Sequence, residues 1–404
     1  MSALELALQR NKYKHLSNEE WRWFLQQVEG RERTADKLPM FAAIEDWWYP
    51  VRLSCEQCSS ELTARYKAGL VESGERRDER RFIDLTAGYG VDTYFISEHF
   101  EHTDYVEQNE ELCRIAEHNF SLIDNRKSII VHHTTAEEFL ASLPFREGSG
   151  LGSFDLIYAD PARRDAHGGK VFRLEDCTPN IVALLPSLLS HLTPNGRILL
   201  KLSPMLDLTQ ALKELSAVAW DVHVVAVKNE VKEVLLLSGG SEKITAIDLD
   251  KKDQAFVFTR EEERECVLRN DANDANDANG DFLYEPNAAI LKAGGYKLVA
   301  QRFGLHKLDV NTHLYASNQL IENFPGRIFK ALPFTGEELC SIEGPVDVRR
   351  RLMGVGPQAN ILCRNYPLTP EQLKKKLHLR DGGTAYVIGC RVAGKPTLFY
   401  AERV

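Results

Sequence analysis

The stretch that most constrains the fold is residues 82–92, whose sequence is Phe-Ile-Asp-Leu-Thr-Ala-Gly-Tyr-Gly-Val-Asp. A short apolar run that ends in an acid and precedes two closely spaced glycines predicts a strand, a tight loop and the start of a helix. Gly88 and Gly90 would let a ligand approach the backbone, and glycine tolerates positive φ. The pattern therefore predicts a loop that holds a nucleotide-like ligand.

Two later acids fall where a doubly wound sheet would place them. A second predicted strand ends in Glu107, about 20 residues beyond the loop, where a carboxylate can accept hydrogen bonds from both ribose hydroxyls. A third apolar strand ends at Asp160, which is followed by proline. Because ligands bind at the carboxyl ends of strands in open α/β sheets, we expect Asp84, the two glycines, Glu107 and Asp160 to face one crevice.

Two features argue against a nicotinamide dinucleotide in that crevice. Thr93 stands where the dinucleotide fingerprint requires Gly or Ala for close packing of helix on strand. Residues 221–227 and 233–238 are apolar runs joined by a short turn, so they must pair as an antiparallel hairpin. A dehydrogenase is therefore disfavoured.

Residues 82 to about 240 resemble a class I S-adenosylmethionine-dependent methyltransferase. The Asp-x-x-x-Gly-x-Gly loop resembles the family's first motif, Glu107 its ribose-binding acid, and Asp160-Pro161-Ala162-Arg163 its fourth motif of the Asp-Pro-Pro-Arg kind. The resemblance implies a Rossmann-like α/β sheet that ends in an antiparallel hairpin, S-adenosylmethionine as cofactor, and methyl transfer. Ala162 replaces the second proline, and Thr135 stands where an acid often contacts adenine.

The resemblance also assigns site residues. Those expected to bind cofactor are Asp84, Thr86, Ala87, Gly88, Gly90, Asp92, Glu107, Gln108, Thr135, Ala136 and Asp160, and those expected in catalysis are Asp160, Pro161 and Arg163.

Composition indicates an ordinary globular chain. It has 404 residues, of which 43% are hydrophobic and 27% charged, enough for two to four domains. We find no apolar run near the ~20 residues of a membrane helix and no signal peptide, and eight scattered cysteines fit a reducing compartment, so we expect a cytoplasmic protein. Cys55 and Cys58 lack a second ligand pair, which makes two unlinked thiols more plausible than a zinc site.

The patterning divides the chain into four segments, of which three precede residue 326. Residues 1–80 are predicted to be helical, and we interpret their aromatic side chains as core rather than as a surface that stacks bases. Within this segment, residues 50–67 are predicted to form a cofactor lid. The methyltransferase domain spans 81–240. A small α+β (ferredoxin-like) module spans 241–325 and contains an Asn-Asp-Ala repeat, 270–279, that we expect to be disordered.

Residues 326–404 form a basic tail. They contain 13 Lys and Arg against 7 Asp and Glu, a net charge of +6, whereas the whole chain carries −9 and the remainder therefore −15. The tail is similar to the THUMP-like domain of a bacterial methyltransferase family. A basic module next to a methyltransferase predicts RNA as the partner.

The sequence thus predicts methylation of tRNA or rRNA, with a purine nitrogen as acceptor. Carbon methylation of a pyrimidine generally needs a cysteine nucleophile near the crevice, and Cys177 is the nearby candidate. Alternatives are a protein or small-molecule methyltransferase and an inactive RNA-binding homologue.

Overall fold

The computed structural model describes residues 3–72, 80–123, 128–143, 154–163, 173–251, 255–268, 280–334 and 358–404. The chain divides into two compact units. The first comprises Met1–Val222 and Glu233–Ser241, and the second comprises His223–Lys232 and Glu242–Val404. The repeat at 270–279 lies outside the described residues. No described helix combines the length and the apolar character that crossing a membrane requires.

The first unit opens with five helices: α1 (Ala3–Ala7), α2 (Asn18–Thr34), α3 (Pro39–Ala42), α4 (Arg52–Gln57) and α5 (Glu61–Val71). The Ser17 hydroxyl accepts the backbone N–H of Glu20, whose carboxylate accepts the N–H of Ser17, and this capping box explains why α2 begins there. Trp21, Trp47 and Tyr49 are buried, which confirms the interpretation of these aromatics as core.

Strands and helices then alternate through β1 (Arg81–Asp84), α6 (Val91–Ser97), β2 (His102–Glu107), α7 (Glu110–Ser121), β3 (Ser128–His133), α8 (Ala136–Ser142), β4 (Phe154–Ala159), β5 (Ala162–Arg163), β6 (Cys177–Thr178), α9 (Ile181–Ser190), β7 (Leu192–Leu202), α10 (Leu208–Glu214), β8 (Trp220–Val227) and β9 (Glu230–Ser238). The sheet order in the first unit is β9-β7-β4-β1-β2-β3. All neighbours pair in parallel except β9 with β7.

This topology confirms the predicted Rossmann-like sheet and its terminal hairpin. β8 and β9 are sheet neighbours, and Lys228 and Asn229 connect them with positive φ, as a two-residue hairpin turn requires. The strand order reverses between β1 and β4, which is the switch point where such sheets bind ligands. The carboxyl ends of β1, β2 and β4 therefore meet at one edge.

The second unit contains β10 (Lys243–Asp248), β11 (Phe256–Thr259), α11 (Arg260–Glu265), β12 (Phe282–Pro286), α12 (Ala288–Ala293), α13 (Tyr296–Phe303), β13 (His306–Asp309), β14 (Thr312–Ser317), β15 (Gly326–Phe334), β16 (Asn360–Arg364), α14 (Pro370–Leu377), β17 (Ala385–Val392) and β18 (Lys395–Arg403). β10 pairs with β11, and seven strands form a sheet of order β13-β14-β12-β15-β18-β17-β16. Strands on both sides of residue 325 thus share one sheet.

Local chemistry accounts for three boundaries in this unit. Helix α12 begins at Ala288, after Tyr284 in β12, and it ends at Gly294, whose φ is positive. The last hairpin turns at Ala393 and Gly394, and Pro396 lies in β18. A capping box at Thr369 begins α14.

A buried carboxylate joins three strands of the second sheet. Glu285 on β12 is 2% exposed and accepts hydrogen bonds from Nε of Arg327 at 2.6 Å and Nε of Arg364 at 2.8 Å. Arg327 lies directly opposite Glu285 on β15, and Arg364 ends β16. Glu285 is the desolvated charge of this group, whereas the side chains of Arg327 and Arg364 remain 26% and 36% exposed.

We therefore expect Glu285→Gln to lower the free energy of unfolding by about 1.5–3 kcal/mol, because it weakens charge-assisted hydrogen bonds while the two guanidinium groups stay partly solvated. The matched control is Glu371→Gln, which removes an exposed pair with Lys374 and should leave stability nearly unchanged. Urea unfolding of both variants measures the difference. Equal, small effects would contradict a structural role for this group.

Candidate active site

The loop between β1 and α6 is held by the carboxylate of Asp84. One oxygen accepts the backbone N–H of Thr86 at 3.0 Å, and the other accepts the hydroxyl of Thr93 at 2.6 Å. Burial raises the pKa of Asp84 to about 7, although both hydrogen bonds favour the ionised form. Thr93 thus fixes the loop at the position where a dinucleotide fingerprint would carry a small residue.

The two glycines of the loop have different roles. Their φ angles are +57° at Gly88 and +81° at Gly90. A Cβ on Gly90 would lie 2.8 Å from the Phe120 ring and 3.3 Å from the Tyr105 ring. A Cβ on Gly88 would meet nothing closer than the Thr86 carbonyl oxygen at 3.8 Å. Gly90 therefore serves packing, whereas Gly88 keeps space open for a ligand.

Glu107 joins the glycine loop to the end of β2. Its Oε2 accepts the backbone N–H of Gly88 at 3.0 Å, and its Oε1 accepts that of Asn109 at 2.8 Å. The Tyr105 hydroxyl donates to the Gly88 carbonyl on the same side. Two strand ends are thereby connected through one carboxylate.

These groups line a single cavity. All eleven residues predicted to bind cofactor contribute to its lining, including Thr135 and Ala136 at the start of α8. Of the predicted catalytic residues, Asp160 lines the cavity and Pro161 does not. The side chain of Arg163 lies outside the described residues. Residues that sequence reasoning did not assign to the cavity include Leu85, Tyr89, Val91, Val106, Leu112, Thr134, Glu137, Tyr158, Ala162, Thr178, Pro179 and Lys201.

The segment predicted as a possible lid forms one wall of this cavity. Ser54, Gln57, Cys58 and Ser59 belong to the lining. They lie on α4 and on the link to α5, and the Ser59 hydroxyl donates to Asp92 at 2.7 Å. The segment is therefore anchored to the start of α6 by a buried hydrogen bond.

The cysteine in the cavity lining is Cys58 and not Cys177, the candidate that the sequence suggests. Burial raises the pKa of Cys58, so the thiol form is favoured, and this thiol donates to the Cys55 carbonyl at 3.2 Å. Cys55 and Cys58 are both free thiols. Cys58 thus lacks the thiolate character of a nucleophile.

A group of paired charges extends from the cavity lining into the interior, and its pairings were not predicted from the sequence. Lys67 is fully buried, and its Nζ donates to both oxygens of Glu233, at 2.8 and 2.7 Å. The same Nζ lies 3.2 Å from Oδ1 of Asp92, and Lys201 donates to Oδ2 of Asp160 at 2.5 Å. Lysines 67 and 201 and acids 92, 160 and 233 thus form one network.

A sequence signal for this network existed. Lys201 interrupts the apolar run of β7, and Glu233 directly precedes the apolar run of β9; a charge in a strand that is buried on both faces requires a partner. Which acid pairs with which lysine depended on the fold, because Lys67 and Glu233 are 166 residues apart in the chain.

Comparison with known proteins identifies two domain families and a structural relative of this chain. Residues 282–325 match a family of ferredoxin-like domains, and residues 345–403 match a THUMP domain-like family. The crystal structure of a protein from Porphyromonas gingivalis W83, provisionally named a methyltransferase, is 33% identical, with a TM-score of 0.78 over 96% of this chain and 91% of that one. The chain belongs to this family: class I S-adenosylmethionine-dependent methyltransferases with a C-terminal THUMP-like domain.

Two curated relatives agree with that membership. Both are uncharacterized S-adenosylmethionine-dependent methyltransferases of Mycobacterium tuberculosis, from strains CDC 1551 / Oshkosh and ATCC 25618 / H37Rv. Each is 24% identical over 245 residues, which are 59% of this chain and 60% of the relative. The match thus covers about three fifths of the length of these relatives.

The cavity residues fit the family's cofactor, S-adenosylmethionine, a sulfonium cation attached to a nucleoside. Five carboxylates line the cavity against one lysine, so the cavity favours a cationic ligand. Glu107 can accept ribose hydroxyls, and Gly88 leaves room at the loop. Among the residues that the structure describes, no group of three His, Cys, Asp or Glu side chains could hold a metal ion.

The two glycines provide a matched pair of variants. Gly90→Ala should destabilise the fold by about 2–4 kcal/mol, because it combines positive φ with overpacking against Phe120. Gly88→Ala should cost only the backbone strain of about 1–2 kcal/mol but weaken S-adenosylmethionine binding at least tenfold. Urea unfolding and calorimetry test this. A Gly88→Ala protein that keeps its cofactor affinity would refute the role of the open space.

Proposed function

We propose that this protein transfers the methyl group of S-adenosylmethionine to RNA (tRNA or rRNA), with a purine nitrogen as acceptor. One observation carries the proposal: Asp160, Glu107 and the glycine loop line one cavity in a chain that also matches a THUMP domain-like family. A methyl on a sulfonium is already activated when the cofactor is bound. The protein then mainly supplies alignment, which can account for about 7–11 kcal/mol of the barrier.

Asp160 is our candidate for orienting the acceptor. Its carboxylate opens to the cavity beside the glycine loop, and its backbone N–H donates to the Thr86 hydroxyl at 2.6 Å. A carboxylate there can accept the N–H of an amine and turn the nitrogen lone pair toward the methyl group. The backbone of Pro161 and Ala162 would contribute carbonyl groups, and Arg163 would hold a phosphate.

RNA is supported by the basic tail and by the THUMP-like match. The exposed lysines 375 and 376 on α14 present charge to solvent, whereas Leu373 and Leu377 face the core. Phosphate contacts of this kind supply most of the sequence-independent affinity for nucleic acids. The proposal places the protein in the cytoplasm, where its seven described cysteines, all free thiols, would stay reduced.

The direct test is transfer of labelled methyl to total RNA from a strain that lacks the gene, followed by identification of the labelled nucleoside. We expect a base-methylated purine. Label on a ribose would instead favour a second candidate, a hydroxyl acceptor, since the Lys201 ammonium beside Asp160 could stabilise a developing alkoxide. Label confined to protein would overturn the RNA assignment. Failure to bind S-adenosylmethionine would indicate an inactive homologue.

The charge of α14 gives a second test. Lys375→Glu combined with Lys376→Glu should raise the KM for RNA about tenfold. The slope of log KM against log salt concentration should fall by about 1.4, since each phosphate contact contributes about 0.7 for single strands. Cofactor affinity should not change. The control is Lys213→Glu, an exposed lysine on α10. If both proteins show the same KM, α14 is not part of the RNA surface.

A further inference from the structure

Lys201 occupies a defined position beside the candidate catalytic acid. It lies near the end of β7, the strand that pairs in parallel with β4, and the register that aligns Ala159 with Leu200 brings Asp160 next to it. Nζ of Lys201 donates to Oδ2 of Asp160 at 2.5 Å, and both residues line the cavity. The Lys201 side chain is 14% exposed and that of Asp160 38%.

Asp160 is the acid to which Lys201 donates a hydrogen bond. Lys67 donates to Glu233 and lies 3.2 Å from Oδ1 of Asp92, while Oδ2 of Asp92 accepts the hydroxyls of Ser59 and Tyr158 at 2.7 Å each. Lys201 is 4.0 Å from Asp92, beyond hydrogen-bond distance. Burial lowers the pKa of Lys201, but the acids at 160, 92 and 233 more than offset this and raise it, so the ammonium stays charged.

Two contacts therefore fix Asp160, one at its carboxylate and one at its backbone. Lys201 holds Oδ2 of the carboxylate, and the Thr86 hydroxyl accepts the backbone N–H at 2.6 Å. A carboxylate with one oxygen in a charge-assisted hydrogen bond has lost most of its rotational freedom. Its other oxygen then points in one direction, which is what an in-line transfer requires of the group that aligns the acceptor.

We propose that Lys201 is a positioning residue for methyl transfer: it holds the carboxylate of Asp160 in the orientation that aligns the acceptor. The proposal rests on the proposed role of Asp160. Lys201 acts through Asp160 and not on the cofactor, so its loss should lower kcat and leave substrate affinities unchanged. It should also have no effect in a protein whose Asp160 is already impaired.

The test is a double-mutant cycle of Lys201→Met and Asp160→Asn, with Lys201→Arg as the conservative variant and Lys213→Met as the control. Methyl transfer from labelled S-adenosylmethionine is measured on total RNA and total protein, and cofactor affinity is measured by calorimetry. We expect Lys201→Met to lower kcat about 100-fold, while KM and cofactor Kd stay within about threefold. Lys201→Arg should restore kcat to within about tenfold of wild type, and Lys213→Met should match wild type.

The cycle separates positioning from a merely structural role. In the Asp160→Asn background, Lys201→Met should change kcat by less than about threefold, since its action passes through Asp160. An equal loss in both backgrounds, or a proportional loss of cofactor affinity, would overturn the proposal. Should Lys201→Met fail to fold, Lys201→Gln replaces it in the same cycle.

The assay also distinguishes this proposal from the RNA assignment. Label in protein rather than RNA would refute RNA as the substrate, and the cycle would then be measured on the labelled protein. No label in either pool from wild type would overturn both proposals.

Discussion

The site depends on one hydrogen bond between two strand ends, from the Gly88 backbone N–H to the carboxylate of Glu107. In a parallel sheet the carboxyl ends of β1 and β2 must lie at the same edge, but the loops that follow them are not thereby fixed to each other. Glu107 makes that connection, and Asp84 holds the start of the same loop. The cavity has its shape because these two acids bind the backbone of one glycine loop. Both acids therefore have a structural role in addition to the ligand contacts proposed for them.

A second constraint is electrostatic. Lys67 is fully buried and Glu233 nearly so, and desolvating such groups costs several kcal/mol per ion unless each finds a partner. A pair of apolar residues would serve stability as well or better, so stability alone does not explain the network. Its position next to Asp160 is consistent with the proposed role of Lys201, which donates to a carboxylate that opens into the cavity. A costly network of paired charges next to a carboxylate that opens into the cavity is the strongest sign that the chain retains a working site.

The sequence predicted the parts of this account that depend on local pattern. The glycine loop, the acids at strand ends and the hairpin of β8 and β9 follow from periodicity, turn chemistry and a family resemblance, and the eleven expected cofactor residues do line one cavity. What it missed is non-local. The local pattern around Lys67 does not indicate a buried charge, and its pairing with Glu233 exists because α5 and β9 meet in the folded unit. Likewise, no local signal indicated that Arg364 would reach Glu285 and that β12 and β15 would share a sheet.

The central claim is that three strand ends form one site in which the cofactor's reactive group faces Asp160. A crystal structure of the protein with S-adenosylhomocysteine tests this most directly. Our account predicts that the ribose hydroxyls contact Glu107, the loop at Gly88 borders the ligand, and the sulfur faces the carboxylate of Asp160. A ligand bound elsewhere, or one whose sulfur points away from Asp160, would contradict it.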